Sequence, residues 1–146
     1  MNTGIADDCG IFYIDDDKDD LSLFKEAIYA IGETACVFDL PDMMLHALKN
    51  PPPNPKIIFV DLNMPHKTGF EIMEEIKTVP NLRHLPVVAY STASDPRSIK
   101  KCRELGMSFF VTKPRSFNAI QKAIKTVLEI NWAEHKITDE TFVYRP

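Results

Sequence analysis

Residues 11–17 read Ile-Phe-Tyr-Ile-Asp-Asp-Asp, four apolar residues that give way without transition to three carboxylates. An unbroken apolar run of this length suits a strand buried on both faces, and its acidic end suits a strand that empties into a polar crevice. Residues 56–61, Lys-Ile-Ile-Phe-Val-Asp, repeat the pattern with Asp61 closing the run. Strands of this kind belong to parallel sheets, whose crossovers are usually helices, so the intervening chain is expected to be helical.

Working outward from residue 17, Asp17 or Asp19 can cap a helix whose apolar positions Leu21, Phe24, Ile28 and Ile31 recur at helical spacing, with Gly32 placed to close it. Residues 34–38 then read as a strand, 41–48 as a helix with Pro41 near its first position, and 56–60 as the third strand. Gly69–Lys77 carries Ile72, Met73 and Ile76 on one face before Pro80 forbids continuation, and Pro86 introduces a fourth strand over 87–90. Ile99, Cys102 and Leu105 mark a fourth helix stopped by Gly106, and 107–111 is a fifth strand. Phe117, Ile120, Ile124 and Val127 define a fifth helix. Five strands alternating with five helices specify an α/β fold: a doubly wound parallel sheet with helices on both faces, joined by right-handed crossovers.

A chain of 146 residues fits one domain, and 45% hydrophobic residues suffice for a contiguous core. A formal net charge of −4 supplies no general drive toward nucleic acid or an anionic membrane. No segment approaches the ~18 apolar residues that a membrane span requires, and Asp7 and Asp8 stand where a secretory leader would carry positive charge. Cys9, Cys36 and Cys102 are scattered without C-x-x-C spacing, so neither a disulfide framework nor a zinc cluster is expected, and all three read as reduced thiols. The expectation is a cytoplasmic protein with protein partners and no direct nucleic-acid or membrane contact. Residues 50–55, with four prolines among six, read as a stiff loop, and the tail beyond Trp132 is too short for a DNA-binding module.

In a doubly wound sheet, ligands bind beyond the carboxyl ends of the strands where strand order reverses, which for the order 2-1-3-4-5 lies between the first and third strands. Here both end in acids, so Asp15, Asp16 and Asp61 are expected to converge. Crowded carboxylates need protons or a cation, and an all-oxygen cluster prefers a hard ion such as magnesium. Magnesium keeps several waters and combines one or two carboxylates with phosphate, so a phosphate ligand is implied as well. Ser91 with Thr92 after the fourth strand, and Lys113 after the fifth, fall on the same edge. They offer a hydroxyl donor and a point charge for phosphoryl oxygens, while an aspartate can act as a nucleophile to form an acyl phosphate. Singly these residues are ordinary, since loop aspartates cap helices and lysines are solvated. Their joint placement at the carboxyl ends of four strands makes the pattern specific.

The segments I-D-D-D at 14–17, V-D-L-N-M-P-H-K-T-G-F-E at 60–71, V-V-A-Y-S-T-A at 87–93 and V-T-K-P at 111–114 resemble the response-regulator receiver family of two-component signalling, over about residues 9–132. The resemblance implies a flavodoxin-like, CheY-like fold, with Asp61 as the phosphoacceptor. Mg2+ would be held directly by Asp16, by Asp15 mainly through water and by the backbone carbonyl of Asn63, with Asp61 also in the metal set. The resemblance also implies that Ser91 contacts the phosphoryl group and moves with it, that Lys113 pairs with the phosphate, and that the Lys113–Pro114 bond is cis. Phe110 takes the position of an aromatic switch residue that enters the space Ser91 vacates. Having no hydroxyl, it must act by packing alone.

Family members of this length usually lack an output domain, so residues 9–132 are expected to form the receiver, with 1–8 and 133–146 as terminal extensions. The tail residues Phe142, Val143 and Tyr144 are able to dock on the domain or on a partner, with disorder as the default for a terminus. The implied partners are a sensor histidine kinase or histidine phosphotransfer protein as donor, and a downstream protein target on the surface of the fourth helix, fifth strand and fifth helix. Lys100, Lys101 and Arg103 give that surface a basic character that suits an acidic partner, although a solvated helix face is the more ordinary reading of such a run. Such a protein is a phosphoacceptor rather than an enzyme, assisting only its own phosphorylation and dephosphorylation. One rival is a pseudo-receiver, a binding module that never takes phosphate, against which the intact acidic set argues. The other is an aspartyl-phosphate hydrolase, which wants a second acid two residues after the nucleophile, where this chain has Asn63.

Overall fold

Five short strands, β1 (Ile11–Ile14), β2 (Ala35–Phe38), β3 (Ile57–Val60), β4 (Val87–Ser91) and β5 (Phe109–Thr112), pair in parallel in the order β2-β1-β3-β4-β5. The computed structural model describes residues 9–146, and the extension 1–8 lies outside the described residues. The three central strands, β1, β3 and β4, are buried at every position, as the unbroken apolar runs require. Register fixes the working edge of the sheet: Ile14 lies opposite both Phe38 and Val60. Asp15 and Asp61 therefore leave the sheet at the same level, with the Asp61 N–H donating to the Ile14 carbonyl at 3.0 Å and the Asp15 N–H to that of Phe38 at 3.1 Å.

The helices among the described residues are α1 (Lys18–Ala30), α2 (Pro41–Lys49), α3 (Gly69–Lys77), α4 (Pro96–Glu104) and α5 (Phe117–Leu128), with a 3-10 turn at Pro80–Leu82 that the sequence pattern does not announce. Period-2 alternation along the strands sends Tyr13, Phe59, Tyr90 and Val111 to the face covered by α1 and α5, and Phe12, Val60, Ala89 and Phe110 to the face covered by α2, α3 and α4. On the first face Phe24 packs against Tyr13, Phe59 and Tyr90.

Helix ends are set by local chemistry. Of the two candidate caps for α1 it is Asp17 that accepts the Asp19 and Asp20 amides, and Gly32 adopts a φ of +83° just beyond the last turn. α3 opens on a reciprocal capping box between Thr68 and Glu71, a T-x-x-E signature readable in the sequence but not used above. The fifth strand begins at Phe109 rather than Met107, because the Met107 N–H is spent on the Cys102 carbonyl in closing α4.

Three expectations are corrected. Cys9 and Cys36 are bonded as a disulfide, with Cα atoms 6.1 Å apart, because Cys9 lies just before β1 and Cys36 lies in the adjacent β2. Sequence spacing does not show that adjacency. Cys102 alone stays free; it is buried on α4, and burial pushes its thiol up to about 12. The cis peptide bonds fall at Pro51–Pro52 and Pro52–Pro53, and the Lys113–Pro114 bond is not among them. Finally, the tail is ordered onto the sheet. Val143 bridges Phe110 in parallel, and Phe142 is 1% exposed in the same core cluster as Phe110.

Candidate functional site

At the carboxyl edge of the sheet, Asp15 is fully buried, Asp61 nearly so and Asp16 exposed. Carboxylate oxygens of the three lie within 4.8 Å of one another. This is the convergence expected from two acid-terminated strands at the reversal of strand order. Lys113 reaches the cluster from the end of β5, where its own N–H donates to the Ser91 carbonyl at 2.9 Å and so ties β5 to β4. Its ammonium lies 2.6 Å from Asp15, 2.8 Å from Asp20 and 3.4 Å from Asp61.

Asp15 is held on several sides. The Tyr13 hydroxyl donates to one of its oxygens and the Asp17 N–H to the other at 2.9 Å. Burial and the neighbouring Asp15 charge push the Tyr13 phenol well above its usual range, so it is a fixed donor. Burial, reinforced by Asp15, pushes the Asp61 carboxyl up to about 7 against the pull of Lys113. Burial alone would lower the Lys113 ammonium, but its bonds to Asp15 and Asp20 outweigh that and hold it above its usual range.

The other anticipated residues fall around this cluster. Ser91 is fully buried at the end of β4, and its Oγ accepts the Ala93 N–H at 3.2 Å, which leaves the hydroxyl proton free to donate. Thr92 is exposed. Asn63 follows buried Leu62 on the exposed loop between β3 and α3, a loop in which His66 takes a φ of +69°. Phe110 has no exposed surface and lies on the far side of the sheet from Tyr13, beneath Phe142. Any switching by it is therefore a repacking within the core rather than a swing from solvent.

Sequence reasoning missed three contributors. Tyr13 was read only as core, although its place two residues before Asp15 put it on the same face of the strand. Asp20 was an ordinary acid in the first turn of α1, and only the packing of that helix carries it to Lys113. Gly69 was taken as a helix start, yet a Cβ there would lie 2.9 Å from Leu62 Cα and from Val60 Cγ1 and closer still to the Asp61 carbonyl. The α3 terminus approaches the end of β3 so closely that only glycine fits, and the Gly69 N–H donates to the Leu62 carbonyl at 3.0 Å.

Three carboxylates, Asp15, Asp20 and Asp61, thus share the Lys113 ammonium, and Asp16 stands beside two of them with no cation of its own among the described residues. The donor set is all oxygen, partly exposed and short of positive charge, which fits a hard divalent cation.

Comparison with known proteins agrees with this geometry. The sequence model of the response regulator receiver domain matches residues 11–125. The response regulator Rcp1 of Synechocystis is 34% identical over 82 residues, covering 56% of this chain and 55% of that protein. A Dictyostelium cyclic-nucleotide phosphodiesterase, regA, is 36% identical over 81 residues, which cover 55% of this chain but 10% of that protein. The chain thus spans about half or less of the length of these curated relatives. Among solved structures, the phosphorylated cyanobacterial phytochrome response regulator RcpA superposes with a TM-score of 0.71 at 27% identity, covering 85% of this chain and 93% of that one. The Mn(2+)-bound form of Rcp1 superposes at 0.70 and 27%, covering 82% and 94%. With the match running from the first strand into the fifth helix, the chain belongs to the response-regulator receiver family of two-component signalling.

Proposed function

We propose that Asp61 accepts a phosphoryl group from a phosphohistidine on a sensor kinase or phosphotransfer protein. An Asp61 carboxylate oxygen attacks phosphorus in line, the phosphorus–nitrogen bond to the donor imidazole breaks, and that nitrogen leaves with the bonding pair. The observation that carries the reading is the placement of Asp61: nearly buried, at the reversal of strand order, beside Asp15 and Asp16 and 3.4 Å from the Lys113 ammonium.

Asp15, Asp16 and Asp61, with the Asn63 carbonyl, are the groups that would hold Mg2+, which when bound supplies positive charge to the phosphoryl oxygens. Lys113 neutralises a further equatorial oxygen and must loosen its hold on Asp15 and Asp20 to do so. The buried Ser91 hydroxyl donates to the phosphoryl group. Tyr13 keeps Asp15 oriented without entering the chemistry. Asp61 carboxylate is the nucleophile, so its raised proton affinity makes deprotonation part of readiness.

The receiver unit acts as a signalling phosphoacceptor and passes its state to a protein partner through α4, β5 and α5. Among the described residues no helix is long and apolar enough to cross a membrane. Intact-mass spectrometry after incubation with acetyl phosphate and Mg2+ tests the reading. A single metal-dependent phosphoryl adduct that disappears in Asp61→Asn is expected, and an adduct of equal yield in the variant refutes the assignment.

A further inference from the structure

β5 is an edge strand, and an edge presents unpaired backbone groups that will accept another extended chain. Here the chain's own tail takes that place. The Phe110 N–H donates to the Phe142 carbonyl and the Tyr144 N–H to the Phe110 carbonyl, each at 2.8 Å, so residues 142–144 form the beginning of a sixth parallel strand. Phe142 is driven into the core beside Phe110 and Cys102. Three residues earlier Asp139 pairs with Arg103 on α4, and the same guanidinium reaches the Ile137 carbonyl at 3.5 Å. A tight turn links the two anchors, with the Phe142 N–H on the Thr138 carbonyl at 3.0 Å.

The attachment is slight for the chain it orders. It consists of two backbone bonds, the buried Phe142 ring with partly buried Val143 and Tyr144 beside it, and the Arg103 contacts to the Ile137 carbonyl and to an Asp139 that is 95% exposed, set against the entropy of fixing a terminal segment. Beside Phe142 a groove of about 710 Å3 stays open, bordered on α4 by Pro96, Ile99, Lys100, Arg103 and Glu104 and on the tail by Asp139. A strand edge, an aromatic seat and an arginine anchor, filled by a short terminal segment, can exchange one extended occupant for another.

We propose that the β5 edge and the α4 flank form a strand-docking surface for a partner protein's extended segment carrying an acidic residue three positions before an aromatic one. The chain's own Asp139-to-Phe142 segment fills it until such a partner displaces it. This gives the downstream partner of the proposed function a chemistry. Its test needs no phosphorylation, so the two readings fail separately.

A fluorescently labelled peptide of residues 137–146 serves as the probe in anisotropy titrations. The targets are the full chain, the full-length double variant Asp139→Ala/Phe142→Ala, and a chain ended after Lys136, each checked for native circular dichroism. The expected result is binding at least tenfold tighter to the double variant and the shortened chain than to the full chain. Binding should be lost when the peptide carries Phe142→Ala and weakened when the target carries Arg103→Ala. If the shortened chain does not fold, the double variant decides. Absence of binding to a folded, vacated target overturns the proposal, as does equal binding to all targets regardless of the peptide's aromatic residue.

Discussion

The Lys113 ammonium and the buried Asp15 carboxylate lie 2.6 Å apart, joining the end of β5 to the end of β1 through a bond between groups that are almost wholly out of water. Removing one partner of such a pair strands the other charge, which costs far more than the net worth of the pair. Lys113→Ala is expected to destabilise the metal-free protein by about 3–5 kcal/mol, with Mg2+ restoring part of the loss. Urea titrations with and without Mg2+ check this; an unchanged midpoint without metal contradicts it.

Asp61 makes the opposite contribution. Its carboxyl is raised from 3.8 to about 7, so the folded state holds the proton more tightly than the unfolded chain does. The stability linked to that proton is fully present below about pH 4 and is lost as pH rises to about 7. Asp61→Asn removes the titration, so in chelator the variant gains on the wild type across this window. The gain is a few kcal/mol at most, from about 1.4 kcal/mol per pH unit. Denaturation midpoints of both proteins at pH 5 and pH 8 measure the difference, and a gap that does not widen with pH refutes it.

The same proton competes with metal. Mg2+ affinity is expected to fall about tenfold for each pH unit below about 7 and to level off above it, with up to one proton released on binding in the acidic range. Calorimetric titration in two buffers of different ionisation enthalpy counts that proton. A proton count of zero at pH 6 contradicts the assignment.

Gly69→Ala tests the close approach of α3 to the end of β3. The added methyl meets the backbone of Asp61 and Leu62 rather than a flexible side chain, so the cost is overpacking, about 1–3 kcal/mol, with displacement of the β3 terminus. Loss of both stability and labelling by acetyl phosphate is expected. An unaffected labelling rate means that the carboxylate tolerates the shift.

Much of this was legible because it rests on runs and their ends. The apolar stretches ending at Asp15 and Asp61 declare both strand burial and the acidic crevice, and Gly32 and Gly106 mark helix ends by backbone freedom alone. What stayed hidden depends on how separate elements meet. The reach of Asp20 to Lys113 needs the orientation of α1, the Gly69 contact needs the α3–β3 approach, and the Cys9–Cys36 bond needs the β1–β2 neighbourhood. The tail strand pairs through a single bridged residue and has no periodicity to read.

Phosphorylation offers a test of the output route. Phe110 is paired to β4 at Ala89 on one side and to the tail on the other. Movement of Ser91 two residues along β4 is expected to change amide exchange at Phe110 and Tyr144 by at least about tenfold, the equivalent of about 1.4 kcal/mol in local opening. Hydrogen-exchange mass spectrometry of phosphorylated and unphosphorylated protein checks it, with Asp61→Asn as the silent control. Identical exchange in fully phosphorylated protein rules out signalling along this path.

α4 carries its cysteine inward while Arg103, one residue on, holds the tail. Because Cys102 is fully buried and its thiol titrates only near about 12, an alkylating reagent in neutral solution has no thiolate to attack while that helix stays seated. The chain thus contains its own stopwatch. At reagent concentrations high enough to outpace reclosing, the rate at which Cys102 becomes labelled counts how often α4 lifts from the sheet; at low concentrations it reports the open fraction.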